Sequence, residues 1–302
     1  MSAGVLSIKV DVDTDRGTRI GVPALLAVFQ QLGISATFLF SLGPDNTGRA
    51  IRRVFRPGFF TKAARTNVVA MYGIRTLLNG VLLPGPHIGR RNEAVMRSTR
   101  AHGHEVGIHC YDHIRWQDGL ATMEATEVAE ELGKARHEFF RIFGEPAATA
   151  GAAGWQANAH SLEAYDSAGL RYASDARGTH PFLPRVGQKV FNTLQIPTTL
   201  PTLDELLGRR GYSELQILDL YLGKLRTGGL HVLTVHAEIE GMSKLPLFRE
   251  FLVRALALPV RIQRLCDIAE ERLRTPQDIP VCDLTQGEVD GRSGTLAVQR
   301  CA

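Results

Sequence analysis

Four stretches of this 302-residue chain share one form: an apolar run with the look of a β-strand that ends on a carboxylate or a histidine. Residues 5–10 run into Asp11-Val12-Asp13, and 105–108 run into His109 with Cys110-Tyr111-Asp112-His113 behind it. Residues 171–174 run into Asp175, and 230–235 into His236. In a parallel α/β barrel, functional side chains stand where strands give way to loops on the C-terminal face, so the pattern predicts that these groups converge on one point. Two neighbouring Asp, two His at i and i+4, and a third His make a metal hydrolase the leading idea.

The segments between these strands fit the same architecture. Apolar residues at helical spacing predict helices over 18–33, 92–101, 122–143, 158–168, 213–226 and 247–258, several of them stopped by glycine. Further strands are predicted over 36–42, 147–153, 194–197 and 260–262. The repeated order of strand then helix favours a parallel sheet or barrel.

Two regions break the rhythm. Residues 44–89 are too long for a βα connection, which usually takes about 2 to 6 residues. The chain after Thr275, rich in Gly, Asp, Gln and Thr, is expected to be a loosely ordered tail, 276–302. Charge singles out the first region: nine Lys or Arg and no acid lie between Asn46 and Asn92, leaving 26 basic against 31 acidic residues elsewhere. Arg52, Arg53 and Arg56 alternate there with Phe55, Phe59 and Phe60, and an aliphatic run follows. That mixture suits a surface of anionic headgroups with apolar residues dipping below it, and suits nucleic acid less well; the alternative is a helical insertion packed on the barrel. The four cysteines show no CxxC spacing and no dense disulfide framework. No signal peptide precedes the first strand and no apolar window is long enough to span a bilayer, so a cytoplasmic chain that can sit on a membrane is expected.

Asp11 and Asp13 lie on one face of their strand, with Val10 and Val12 on the other. The pair suits one carboxylate on a metal and one taking a proton from water, although a DxD also serves glycosyltransferases. His109 and His113 share a face if the chain turns helically after the strand, and with Asp13 they compose a two-His, one-carboxylate set. Non-haem iron oxygenases use the same set, but nothing in the sequence marks a site for their reductant. Asp11 and His236 remain as base and acid. Asp175 either orients His236 or pairs with Arg177. His104 and Asp112 are off the ligand spacing and are read as structural.

With those residues in place, the chain resembles the polysaccharide deacetylase (NodB homology) superfamily over about residues 5–270. The resemblance implies a distorted (β/α) barrel of about seven strands, here 1–275, with the basic aromatic insertion 44–91 after strand 2. It implies one divalent ion (Zn2+, Mn2+ or Co2+) on Asp13, His109 and His113, with Asp11 as base and His236 as acid. Two departures stand out: Val12 separates the paired Asp, and Ala152-Ala153-Gly154-Trp155 replaces an arginine-bearing motif, so that Arg177 is the expected substitute. Gly43-Pro44-Asp45-Asn46, Ala153-Gly154-Trp155, Gln195-Ile196-Pro197 and Val235-His236-Ala237-Glu238 are similar to one branch, the deformylases of 4-deoxy-4-formamido-L-arabinose phosphoundecaprenol. That branch implies a polyprenyl-phosphate-linked sugar substrate, contacts from Trp155, Arg177, Arg52, Arg53 and Arg56, and a peripheral place on the cytoplasmic side of the inner membrane, on its anionic phospholipid. It also implies a role in lipid A modification and polymyxin resistance.

Overall fold

The computed structural model describes residues 4–50 and 74–301. Arg52, Arg53 and Arg56 therefore lie outside the described residues, as does the aromatic part of the insertion. Twelve strands are described. β1 (Gly4–Val12), β2 (Thr37–Ser41), β3 (Glu105–Cys110), β4 (Thr149–Ala150) and β5 (Tyr172–Ala173) come first. β6 (Leu183–Val186), β7 (Lys189–Val190), β8 (Leu194–Gln195), β9 (Leu230–His236), β10 (Val260–Ile262), β11 (Val281–Glu288) and β12 (Thr295–Arg300) follow.

Seven of them pair in parallel in the order β9-β1-β2-β3-β4-β5-β8, and β10 lies beside the first residues of β1. The sheet curls until its ends meet: the amides of Thr199 and Leu200, just past β8, both donate to the Val232 carbonyl on β9 at 3.1 Å. This is the distorted barrel expected from the sequence. Along β1 the two faces carry opposite chemistry, because successive side chains point to opposite sides of a strand. Leu6, Ile8, Val10 and Val12 join the apolar cluster formed with the surrounding helices, while Ser7, Lys9 and Asp11 occupy the other face, which lines the barrel interior. All seven are buried.

The helices that coat the barrel match their predicted positions, with ends set by local chemistry. Val22–Leu32 stops at Gly33, whose φ of 65° an L-residue rarely adopts, and packs Phe29 against Phe38 and Phe248. The predicted helix over 122–143 begins at Ala125, because Glu124 and Glu127 form a capping box there. Among the described parts of the insertion, the root is closed on itself by Asp45 N–H to the Pro86 carbonyl and Gly48 N–H to the Asn79 carbonyl, both 2.9 Å, and is joined to the end of β2 by the amides of Ile88 and Gly89, which donate to the Gly43 and Leu42 carbonyls at 2.8 and 3.1 Å. Val81, Leu82 and Leu83 project from it into solvent.

The chain after Thr275 is not loosely ordered. It forms the hairpin β11-β12, which completes a second sheet in the order β12-β11-β6-β7 and carries the disulfide Cys282–Cys301. Its low apolar content misleads because only one face is covered: Cys282, Leu284 and Ala297 pack on Phe182 and Phe191, while the intervening residues face water.

Candidate active site

Parallel pairing sets the site. Asp11 on β1 is directly opposite His236 on β9, so the two C-terminal ends lie side by side. β3 brings His109 to the same mouth, and the chain then turns at Asp112, whose carboxylate accepts from the amides of Ile114 and Arg115 and so caps the helix His113–Gly119. His109 thus comes from a strand and His113 from the first turn of the next helix, and their rings lie 5.2 Å apart.

Asp13 stands between them. Its Oδ1 is 3.3 Å from His109 Nε2 and 3.4 Å from His113 Nε2. The Nδ1 of His109 is 2.6 Å from the Gly151 carbonyl, which only accepts, so Nδ1 carries the hydrogen and the lone pair of the neutral ring is on Nε2, facing Asp13. Burial pushes the Asp13 carboxyl up, but the charges of His113 and His109 beside it outweigh that and hold the group well below its ordinary value. Burial likewise opposes a charge on His109, and Asp11 and Asp13 together prevail and raise it. Asp11 Oδ1, Asp13 Oδ1 and His236 Nδ1 are buried with no hydrogen-bond partner. Two imidazole nitrogens and one carboxylate oxygen within 4.8 Å of one another, with such unpartnered atoms beside them, fit a small divalent cation that keeps positions for water and substrate.

His236 completes the mouth. Its amide donates to Glu240 Oε2 at 2.8 Å, and burial pushes Glu240 up to about 8. Its ring meets the edge of Trp155 at 6.3 Å. Trp155 follows Gly154 in a left-handed turn; its φ of 53° is the one positive value among the described non-glycine residues. That conformation is costly and turns the indole toward the site, where Nε1 donates to Thr198 Oγ1 at 3.1 Å.

Two expected roles find other partners. Asp175 accepts from the Ala152 amide at 2.6 Å and from Gln195 Nε2 at 2.8 Å, and burial pushes it up to about 6; its hydrogen bonds do not reach His236. Arg177 pairs with Glu205 and donates to the Leu200 carbonyl at 3.0 Å, so its polar contacts lie away from Asp11 although its guanidinium is 5.5 Å from the Trp155 ring.

Three residues were given no role from the sequence. Lys9 lies beneath Asp11. Glu238 accepts from the amides of Asp13 and Thr14 at 3.1 and 2.9 Å and from Thr14 Oγ1 at 2.7 Å, and so fastens the Asp13 loop to the end of β9. Arg292, in the turn of the C-terminal hairpin, lies 4.2 Å from the Trp155 ring centre and pairs with Asp204 and Glu205. Lys9 and Glu238 carried a usable signal, a charge at an i±2 position from a candidate; Arg292 carried none.

The geometry agrees with what the chain resembles. Residues 10–173 match the family model for polysaccharide deacetylase. A probable 4-deoxy-4-formamido-L-arabinose-phosphoundecaprenol deformylase of Shewanella sediminis is 36% identical over 97% of this chain and 94% of its own length. A protein of the same name from Wigglesworthia glossinidia brevipalpis is 31% identical over 94% of this chain and 98% of its own. The fold is shared with a probable polysaccharide deacetylase from Pseudomonas aeruginosa PAO1, at a TM-score of 0.60 and 16% identity over 89% of this chain and 91% of that one. A barrel whose strand ends gather Asp11, Asp13, His109, His113 and His236, in a chain with these relatives, belongs to the polysaccharide deacetylase family and is a hydrolase of amide bonds.

Proposed function

We propose that the chain hydrolyses the formamide of 4-deoxy-4-formamido-L-arabinose phosphoundecaprenol, releasing formate and the free amino sugar on its lipid. The observation that carries this reading is the Asp13, His109 and His113 cluster, with Asp11 and His236 beside it on adjacent strands. Those three residues would hold one divalent ion, which when bound supplies Lewis acidity toward a carbonyl oxygen. Asp11 Oδ1 takes the proton of the attacking water. His236 gives a proton to the sugar nitrogen as the C–N bond breaks, so that the amine leaves neutral. Trp155 forms a wall beside His236 and limits access of bulk water. The freed amino group lowers the negative charge of lipid A once the sugar is transferred, which is the route to polymyxin resistance.

The insertion, 44–91, is the proposed landing surface for lipid, and 1–275 the catalytic unit. Val81, Leu82 and Leu83 are exposed at 52%, 74% and 42%, and in sequence they follow the basic residues Arg52, Arg53 and Arg56 of the same insertion. A polyprenyl phosphate offers one anionic group and a long hydrocarbon chain, and this surface complements both. Among the described residues no helix is long and apolar enough to cross a membrane, and the proposed attachment is peripheral, on anionic phospholipid at the inner leaflet.

The deciding experiment is mass spectrometry of the formamido-sugar lipid in detergent, with protein stripped of metal or reloaded with Zn2+, Mn2+ or Co2+ singly. Loss of the formyl mass only after reloading is expected. A formyl group that survives every ion, while an acetylated sugar lipid is cleaved, would replace this substrate with another.

A further inference from the structure

Resting on that reading, we propose that Lys9 is the positioning residue of the proton acceptor: it holds Asp11 by Oδ2 and leaves Oδ1 directed at the reacting water. Lys9 is the one buried lysine or arginine among the described residues, and its side chain is fully enclosed. A charge in such a place is tolerated only with partners. It has three: Nζ donates to the Ser174 carbonyl at 2.9 Å, lies 3.4 Å from Asp11 Oδ2, and sits 5.3 Å from the centre of the Trp155 ring.

These contacts divide the work of the carboxylate. Lys9 and Asp11 are two apart on one strand, so both enter the barrel from the same face. The ammonium is anchored across the interior by a carbonyl just past β5, which fixes the long stem and with it the carboxylate plane. Oδ2 is then occupied, whereas Oδ1 is buried without a partner, 3.9 Å from His109 Nδ1. The same ammonium offsets one of the two negative charges that Asp11 and Asp13 bring together, and braces the face of Trp155 beside His236. Fold stability alone is a poor reason for such a residue, because a buried ion pair is often no more stabilising than apolar packing of equal volume. Arg177, the cation first expected here, is committed to Glu205 and Leu200.

The test compares wild type with K9M, K9R, D11N and K9M/D11N, measuring bound ion, KM and kcat on the formamido-sugar lipid. K9M should keep its ion and its KM, and lose about 10²-fold in kcat, the loss that a misplacement of ~1 Å brings. K9R should recover to within about tenfold of wild type. On the D11N background the K9M change should cost nothing further, because both act through one carboxylate. Wild-type turnover by K9M, loss of the ion in K9M, or losses that multiply in the double variant would each overturn the proposal. If K9M alone does not fold, K9M/D11N against D11N settles the question, since removing both charges leaves no unpaired ion. Wild-type protein inert on every N-acyl sugar lipid would instead remove the reaction, and the acceptor that Lys9 positions with it.

Discussion

The parallel barrel and the C-terminal hairpin contribute to the same mouth by opposite means. β1 is covered on both sides: β2 and β10 pair along one edge and β9 along the other, apolar side chains meet the helices, and polar ones meet the interior. Every group it offers is fixed by the strand register, so Asp11 and His236 are neighbours by construction. The hairpin is covered on one face only, alternates buried and exposed along β11, and delivers a single side chain, Arg292, from its turn. Enclosure on both faces allows several charged groups to be held within a few ångströms; a one-sided sheet can brace such a site but cannot hold it. Four predictions test that division.

The largest effect is expected at the barrel mouth. His236→Ala should lower kcat by about 10² to 10⁴, the usual worth of a general acid, while the ion content stays at the wild-type value. Metal analysis of the purified variant beside its turnover checks this. A variant that loses its ion together with activity would show His236 to support the ligands and not the leaving group.

Truncation of the two cores should differ in kind. Leu6→Ala, at a fully buried side chain of β1, is expected to cost about 2–5 kcal/mol and to lower the whole unfolding transition. Leu284→Ala in the hairpin packs on a much smaller cluster and lies at the lower end of that range. It should open the second sheet first, seen as faster hydrogen exchange over β11 and β12 with the barrel amides still protected. Equal loss of protection in both sheets would make the hairpin part of one cooperative core.

The buried charges give the barrel a pH signature. Glu240 is pushed up to about 8 by burial, against an ordinary value of 4.5, so between those limits the folded chain holds a proton that the unfolded chain has released. The contribution of Glu240 to stability then falls as pH rises from 4.5 toward 8, by at most about 1.4 kcal/mol per unit. Glu240→Gln can still accept from the His236 amide and should flatten that slope. Urea midpoints at several pH values across the window read it directly. In the hairpin sheet, Asp283→Asn breaks an exposed pair with Arg185 and should leave the profile unchanged.

The same contrast explains what the sequence disclosed. Doubly covered parallel strands read as continuous apolar runs, so β1, β3 and β9 were legible together with the residues at their ends. Asp112 and His104, read as structural, have structural partners: one caps a helix, and the other accepts from the Ala36 amide at 3.1 Å. The hairpin was missed because half of its side chains face water, which gives the composition of a loop. Asp175 was read as a partner of either His236 or Arg177, yet its partners Ala152 and Gln195 lie on neighbouring segments that only the curl of the sheet brings close. Lys9 was given no role, although its spacing of two from Asp11 already placed both on one face.

The smallest effect tests whether the hairpin reaches the chemistry at all. Arg292 lies over the indole of Trp155, and its guanidinium also pairs with Asp204 and Glu205. A cation on an aromatic face contributes about 0.5–2 kcal/mol, so Arg292→Ala should lower kcat/KM by about 2- to 30-fold. Trp155, Asp204 and Glu205 are not among the proposed ligands Asp13, His109 and His113, so ion affinity should not move. Arg292→Lys restores the charge but not the flat stacking partner, and should recover only part of the loss. If both variants turn over like wild type, Trp155 is held by its left-handed turn, Thr198 and the barrel cations without help from the hairpin, which is then a structural cover. A partial loss graded from Lys to Ala would make the turn of the second sheet a wall of the active site, placed there by an element whose composition reads as loop.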